Sequence, residues 1–158
     1  MTDVPRPPTL DRVTIVPIVM AALLSGGAEP QGDPDEVGVA QIECERPGIL
    51  AGLPVAKETF GRLGARCRGL ADEGSEIEAG QSVAEMGGPL AAIRGASPTA
   101  VAFLTRLSAI ASGALESVPG DPLDAYAAEL RLSRRDPVGH DGPSDHARDR
   151  GPSFRLRI

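Results

Sequence analysis

The sequence predicts an α+β domain, built from a small curved antiparallel sheet with packed helices, and a disordered C-terminal tail. Three observations predict this fold class. Short segments with alternating apolar residues lie between residues 37 and 86, and glycine or proline turns separate them. Longer apolar segments suited to helices lie on either side of them. From Ser133 onward arginine, aspartate, glycine and proline dominate, and such a composition builds no core.

The length of 158 residues suits one globular domain and is too short for two well-packed ones. The expected organisation is a flexible arm at 1–8, a folded domain at 9–120, a short helix at 121–132 and a disordered tail at 133–158.

The first half of the domain is expected to contain two helices and two strands. Leu10–Leu24 is apolar enough for a helix, which Pro17 should bend. Val37–Cys44 alternates as a half-buried strand does, and a second short strand is expected at Gly48–Gly52. Leu53–Leu63 then has the apolar spacing of a helix.

The middle of the chain is expected to complete the sheet. Ala65–Leu70 predicts a further strand. After it, turns at Gly74 and Gly80 alternate with Ile77 and Val83, which should point into the core. This rhythm is typical of a small curved sheet that folds back on itself.

The clearest helical pattern begins at Ser97 and ends at Gly113. Ser97 is a good N-cap and Pro98 suits the first helical position. Apolar residues then recur at helical spacing, namely Ala100, Val101, Phe103, Leu104, Leu107, Ile110 and Ala111.

Charge and composition exclude several classes of partner. The net charge is −6, although the segment from Arg131 to Ile158 contains seven arginines and four aspartates. An acidic body is a poor match to nucleic acid and to an anionic membrane. Aromatic residues make up only 3%, so no platform for stacking bases is expected.

Two cysteines, Cys44 and Cys67, have no metal-type spacing, and we expect reduced thiols in a cytoplasmic protein. The apolar run Val13–Leu24 is too short to span a bilayer and lacks the basic start of a signal peptide. His140 and His146 in the sequence HDGPSDH could ligate a metal, but this Pro- and Gly-rich segment should not form a site. The sequence therefore predicts no metal and no cofactor.

Two stretches resemble the quinolinate phosphoribosyltransferase (nicotinate-nucleotide pyrophosphorylase) family. Gly48–Phe60, which reads GILAGLPVAKETF, is similar to the family's GVLAGL strand and turn followed by a PVAEEVF-type helix. Glu73–Ser112 is similar to the family's sheet and to its helix ending ALNFLQRLSGIAT, which here reads AVAFLTRLSAIAS. With the helix Val13–Leu24 the resemblance covers roughly the first 115 residues, most of a domain of ordinary size.

The resemblance implies the fold, the chemistry and the assembly of that family. The fold is a hammerhead-type curved antiparallel sheet with packed helices, followed in the family by a barrel that binds quinolinate and phosphoribosyl pyrophosphate. The family activity is that of a nicotinate-nucleotide diphosphorylase (carboxylating), a pentosyltransferase of NAD biosynthesis. The family works as a dimer in which this domain caps the barrel of the other subunit.

The sequence departs from the family at positions that matter for catalysis. Pro98 stands where the resemblance places an arginine that reaches the substrate carboxylates, and proline offers neither charge nor donor. Ala102 replaces an asparagine. Nothing after Gly113 resembles the start of the barrel, and a barrel needs about 200 residues or more. We therefore expect no such catalysis by this chain alone, and no catalytic residue is assigned.

Four residues on the family-like helix are candidates for binding a ligand or partner: Arg106, Ser108, Pro98 and Ala102. The alternative for Arg106 is an exposed helix residue, and for Ser108 a packed one. Lys57, the single lysine, is interpreted as a surface residue.

Three functions remain open on the sequence alone. The first is an accessory or regulatory subunit that docks on a separate phosphoribosyltransferase-type barrel. The second is a small-molecule binding or catalytic domain with a pocket near Pro98, Ala102 and Arg106, for a pyridine-type or other ligand. The third is a truncated, non-functional remnant of the enzyme. The expected partners are a second copy of the chain or a barrel protein, with neither nucleic acid nor membrane.

Overall fold

The computed structural model describes residues 9–133 and 151–158, and local sequence accounts for most of its elements. The four helices are α1 (Arg12–Ser25), α2 (Leu53–Arg62), α3 (Leu90–Ala111) and α4 (Pro122–Ser133). The six strands are β1 (Val37–Cys44), β2 (Gly48–Ile49), β3 (Arg66–Gly69), β4 (Glu76–Ile77), β5 (Ser82–Pro89) and β6 (Phe154–Arg157). The predicted α+β class is confirmed.

Both sheets are antiparallel. The larger has the strand order β3-β5-β1-β6, and β2 pairs with β4 in a smaller ribbon. In the larger sheet Gln41 lies opposite Glu85 on one side and Arg157 on the other. Ile77 and Val83 are buried as the turn pattern predicted.

Two apolar clusters hold the domain together. The first lies between the larger sheet and helices α2 and α3, with Ile42, Phe60 and Leu104 among its fully buried side chains. The second joins all four helices and contains Leu107 and Leu130. Helices α2 and α3 contribute side chains to both clusters. Because burial of apolar area is the main stabilising term in folding, these two helices hold the two parts of the core together.

Helix α3 begins at Leu90, so the prediction of a start at Ser97 and Pro98 is wrong. The seven residues before Ser97, about two turns, are small or apolar except for Arg94, and Leu90 and Ile93 are buried. An internal proline costs about 3 kcal/mol relative to alanine, whereas each buried leucine or isoleucine contributes about 2 kcal/mol. Pro98 itself is exposed. Burial before the proline therefore extends the helix through it.

The C-terminal residues correct a second expectation. Residues 133–158 were expected to be disordered, yet Phe154–Arg157 form β6 and pair with β1. Phe154 is buried, and the alternation Phe-Arg-Leu-Arg is the period-two pattern of an edge strand. The rest of that expectation, residues 134–150, lies outside the described residues, as does the predicted arm at 1–8.

Residues that follow α3 and residues that precede β6 meet at Gly48. Gly48 packs so closely against Pro152 and the Ser112 hydroxyl that an added methyl group would collide with both. Ser112 follows α3 and Pro152 precedes β6, so the two ends of the segment that contains α4 are adjacent. Residues 113–133, the described part of this segment, add no strand to the larger sheet.

Candidate functional site

Helix α3 brings three of the four candidate residues onto one exposed stripe. Pro98, Ala102 and Arg106 follow at intervals of four residues, and all three are exposed. Residues four apart on a helix lie on the same face. Ser108 is instead fully buried on the opposite side. The structure therefore separates Ser108 from the other three.

Ser108 bonds to the backbone of the turn before α2. Its hydroxyl accepts the Ala51 N–H at 3.0 Å and donates to the Ala51 carbonyl at 3.1 Å. One turn later the Ser112 hydroxyl accepts the Ile49 N–H at 2.8 Å. Both serine hydroxyls bond to backbone groups that have no partner in the sheet ladder. Their role here is therefore structural.

Arg106 is held by a carboxylate from α4. Its Nε and Nη2 donate to the two carboxylate oxygens of Asp124, at 3.0 Å and 2.6 Å. Asp124 is 1% exposed and also accepts the Val118 N–H at 2.9 Å. The bond to Asp124 raises the pKa of Arg106, so the guanidinium stays charged. The result is a fixed cation whose side chain is still 42% exposed.

Sequence reasoning missed Asp124 because it lies 18 positions beyond Arg106, in a segment that was treated as a separate short helix. The available signal was an acidic residue in the first turn of that helix. Nothing in the spacing of the sequence, however, indicated which cation it would meet.

A second carboxylate, that of the half-buried Glu73, was also missed. It accepts the N–H groups of Gly52 at 2.8 Å and of Leu53 at 3.2 Å, where α2 begins. Gly52 has a φ of 106°, a conformation that suits glycine. The hydroxyl of Tyr126 in α4 donates to the same carboxylate at 2.6 Å. Glu73 therefore caps the N-terminal end of α2 and also links α2 to α4.

Burial raises the pKa of Glu73, and the hydrogen bonds from Tyr126, Gly52 and Leu53 oppose that rise. Burial likewise raises the pKa of Tyr126, and the neighbouring Glu73 raises it further. Lys57 is exposed, as the sequence predicted.

Neither cysteine is activated. The Cys44 thiol donates to the Arg46 carbonyl at 2.8 Å, and burial raises its pKa. Burial raises the pKa of Cys67 to about 11. Within residues 9–133 and 151–158 no three His, Cys, Asp or Glu side chains are grouped as a metal would require. His140 and His146 lie outside this range.

A shallow cleft of about 270 Å³ lies between the N-terminal end of α1 and α4. Asp11, Thr14, Tyr126 and Glu129 are among the residues that line it. The stripe of Pro98, Ala102 and Arg106 contributes none of its lining. No helix in the described part of the chain is both long and apolar enough to cross a membrane.

Known proteins share this architecture. The sequence model of the quinolinate phosphoribosyl transferase N-terminal domain matches residues 14–108. The nicotinate-nucleotide pyrophosphorylase from Francisella tularensis has a similar fold, with a TM-score of 0.68 and 18% identity over 82% of this chain and 55% of that one. NadC from Streptococcus pyogenes gives a TM-score of 0.69 and 20% identity over 78% of this chain and 53% of that one.

A crystal structure of a NadC deletion mutant gives a TM-score of 0.70 and 20% identity over 79% of this chain and 54% of that one. The chain thus spans about half the length of these structures. No curated protein sequence matches it. The family match and the shared fold confirm the resemblance found in the sequence.

Proposed function

Because this chain belongs to the quinolinate phosphoribosyl transferase N-terminal domain family, we propose that it is an accessory or regulatory subunit that docks on a separate phosphoribosyltransferase-type barrel. Its role would lie in pyridine-nucleotide (NAD) biosynthesis. The domain would cap a barrel that belongs to a different chain. The resemblance implies such a contact in the family, where this domain of one subunit caps the barrel of the other.

The observation that carries the proposal is the fixed, exposed guanidinium of Arg106. Arginine is enriched at protein interfaces and at their energetic centres. Because Asp124 already holds the side chain, little rotamer freedom remains to be lost on docking. Pro98 and Ala102 extend the same stripe with small, uncharged surface that a partner can approach closely.

The family resemblance also supports the exposed stripe of α3 as the docking surface. It places the helix of Pro98 and Arg106 at the contact between this domain and the barrel. This chain matches only about half of the residues of each relative with a similar fold. A separate barrel protein would supply that second part.

Binding to a purified enzyme tests the proposal. The full chain would be titrated against the full-length nicotinate-nucleotide pyrophosphorylase of the same organism by biolayer interferometry, with the enzyme's rate measured in parallel. We expect saturable binding at micromolar Kd and a change in the enzyme's rate. Arg106→Ala should weaken binding about tenfold or more.

Arg62→Ala is the matched control, because Arg62 is also partly exposed and paired with a carboxylate, that of Glu58, but lies on α2. It should leave the Kd unchanged. No saturable binding at about 100 μM, or equal losses in the two variants, would refute docking through α3.

The cleft between α1 and α4 favours a second candidate function, a small-molecule binding domain. Asp11 and Glu129 make its lining acidic, so it suits a cationic or neutral ligand better than a pyridine carboxylic acid. Backbone chemical shifts recorded with small organic amines and with quinolinate would test this. Shifts near Thr14 and Tyr126 with the amines alone would support it, and an unresponsive cleft would exclude it for these ligands.

We also propose a cytoplasmic location for this function. The free thiols Cys44 and Cys67 suit a reducing compartment, since thiols in oxidising compartments tend to form disulfides. Fluorescence microscopy of the tagged chain in its own host would show a diffuse internal signal, and export from the cell would contradict the proposal.

A further inference from the structure

The larger sheet has one buried face and one open face. In β1 the residues Ala40 and Ile42 are buried in the core, whereas Val39 between them and the helices' side is 60% exposed. Successive side chains of a strand point to opposite faces of the sheet. Helices α2 and α3 pack on the buried face. The other face, called the outer face below, comprises Val37, Val39, Gln41 and Glu43 and the residues in line with them on the other three strands.

Two arginines on each edge strand border the outer face. The strand order β3-β5-β1-β6 makes β3 and β6 the edges of the sheet. The arginines are Arg66 and Arg68 on β3, and Arg155 and Arg157 on β6. Arg68 and Arg157 belong to the same row across the sheet. Because neighbouring strands lie about 4.8 Å apart, about 14 Å separates the two edge strands.

The outer face carries more positive than negative charge. Its Glu85 pairs with Arg68 at 3.0 Å. Its Glu43 accepts hydrogen bonds from Arg155 at 2.9 Å and from Arg157 at 3.1 Å. The four arginines and these two carboxylates give the face a net charge of +2, whereas the whole chain has a net charge of −6. The sheet therefore concentrates cations on one side of an acidic protein.

The excess charge lies toward one end of the outer face. Glu45 is exposed just beyond β1, next to the row of Arg155, and offsets the charge at that end. At the other end Arg66 lies across Gly87 from Val39. Since glycine has no side chain, nothing on β5 rises between Arg66 and Val39.

The end that carries the excess charge is also apolar. Val37 is 72% exposed and Val39 is 60% exposed. On the other side of these valines Arg157 lies opposite Gln41, with its side chain 70% exposed. This valine end, defined by Val37, Val39, Arg66 and Arg157, combines exposed apolar surface with a cation on each edge strand.

We propose that the valine end docks an acidic, extended segment of a partner protein. Two carboxylates of the segment bond to Arg66 and Arg157, and arginine forms strong, charge-assisted hydrogen bonds with carboxylates. An apolar side chain between the carboxylates packs on Val39. In an extended segment, residues four positions apart are separated by about 13 Å and share one face with the residue midway between them. This spacing matches the distance between the two edge strands.

A polypeptide suits the outer face better than a nucleic acid does. No aromatic side chain belongs to this face in the part of the chain that the structure describes, so bases find no stacking platform. Glu43 and Glu85 lie among the arginines, where they oppose a continuous row of phosphates. The outer face lies on the opposite side of the sheet from α3, so this docking does not depend on the function proposed above.

NMR titration of the isotope-labelled full chain with the peptide acetyl-Glu-Thr-Val-Thr-Glu-amide tests the proposal. We expect the amides of Val39, Arg66 and Gly87 to shift, with a Kd of about 1 mM for so short a peptide. The analogue acetyl-Gln-Thr-Val-Thr-Gln-amide, which has no carboxylates, should bind about fivefold more weakly. Equal binding of the two peptides, or unshifted amides at about 10 mM peptide, would overturn the proposal.

Arg66→Ala should raise the Kd of the acidic peptide about threefold. The matched control is Arg62→Ala, since Arg62 is also partly exposed but lies on α2, behind the sheet. It should leave the Kd unchanged, and equal losses in the two variants would contradict docking at the valine end. The RNA octauridylate should not displace the peptide. If it did so with shifts at Val39 and Arg66, the occupant would be a nucleic acid and the proposal would be wrong.

Discussion

Helices α1 and α4 pack against the same apolar cluster but differ in the residues that they expose on their outer sides. α1 contributes Ile15 and Val19 to that cluster, and α4 contributes Leu123 and Leu130. The outer side of α4 carries polar residues, Glu129, Arg131 and Ser133, beside the exposed Ala125 and Leu132. α1 is apolar there. Polar residues therefore interrupt the exposed surface of α4, whereas α1 leaves the apolar residues Val13, Pro17, Met20 and Leu24 exposed in a row.

The two helices also differ in how polar groups fix them. α4 is joined to the rest of the domain by Asp124 on Arg106 and by Tyr126 on Glu73. α1 has one ion pair, Arg12 with Glu58 at 3.5 Å, and Arg12 is mostly exposed. Surface pairs of this kind contribute at most about 1 kcal/mol. The position of α4 is thus specified by polar contacts, and that of α1 mainly by apolar packing.

Replacing a leucine with alanine should lower the free energy of unfolding far more in α4 than in α1, and this is the largest difference that we expect. Leu130→Ala removes a side chain that is 4% exposed and should lower the free energy of unfolding by about 2–4 kcal/mol. Leu24→Ala should change it by less than about 0.5 kcal/mol in dilute, monomeric protein. Urea denaturation monitored by circular dichroism measures both. A loss above 1 kcal/mol for Leu24→Ala would show that this leucine is already packed within the monomer.

Removing the carboxylate from α4 should have the next largest effect. Asp124→Ala leaves Arg106 and the Val118 N–H without their partner and should cost about 2 kcal/mol. Glu116→Ala is a suitable control, because Glu116 is exposed on the loop before α4 and should be neutral within about 0.5 kcal/mol. Equal stability of the two variants would mean that Asp124 does not fix α4.

Most of the fold could be predicted because its signals are local. The alternation of Val37–Cys44, the turns at Gly74 and Gly80 and the burial of Ile77 each depend on neighbours in sequence. The predicted first helix is α1, shifted by one or two residues at its ends.

The errors occurred where distant parts of the chain decide the outcome. Pro98 looked like a helix start because proline suits the first helical position and Ser97 before it suits an N-cap, but burial of Leu90 and Ile93 extended the helix through it. The strand of Phe154 was missed because its alternation covers only four residues, and its main partner, Glu43, lies more than 100 positions away. Arg155 and Arg157 both bond to Glu43, and these bonds lower the pKa of that carboxyl.

The placement of the candidate residues on the helix, though not their surroundings, could be predicted for the same reason. Helical spacing alone put Pro98, Ala102 and Arg106 on one face. Spacing could not reveal that Ser108 bonds to Ala51 or that Arg106 meets Asp124, since both contacts join separate elements.

The smallest expected effect concerns the bond between Tyr126 and Glu73. Tyr126→Phe removes one hydroxyl, keeps the ring and should lower the free energy of unfolding by about 1 kcal/mol. A loss near 3 kcal/mol would mean that the ring itself had moved. Because the tyrosine hydrogen bond opposes the raised pKa of Glu73, the variant should also raise that pKa further.

The pH dependence of stability tests this coupling between α4 and α2. A carboxyl whose pKa is raised on folding holds its proton more tightly in the folded state than in the unfolded state. Stability therefore falls as the pH rises, from near the unfolded pKa of about 4.3 through the raised pKa of Glu73. Urea denaturation across this range should show wild type losing stability relative to Glu73→Gln, which has no carboxyl to ionise. In Tyr126→Phe the loss of stability should continue to higher pH, because the pKa of Glu73 is raised further. If wild type instead gained stability relative to Glu73→Gln as the pH rises, the pKa of Glu73 would not be raised on folding.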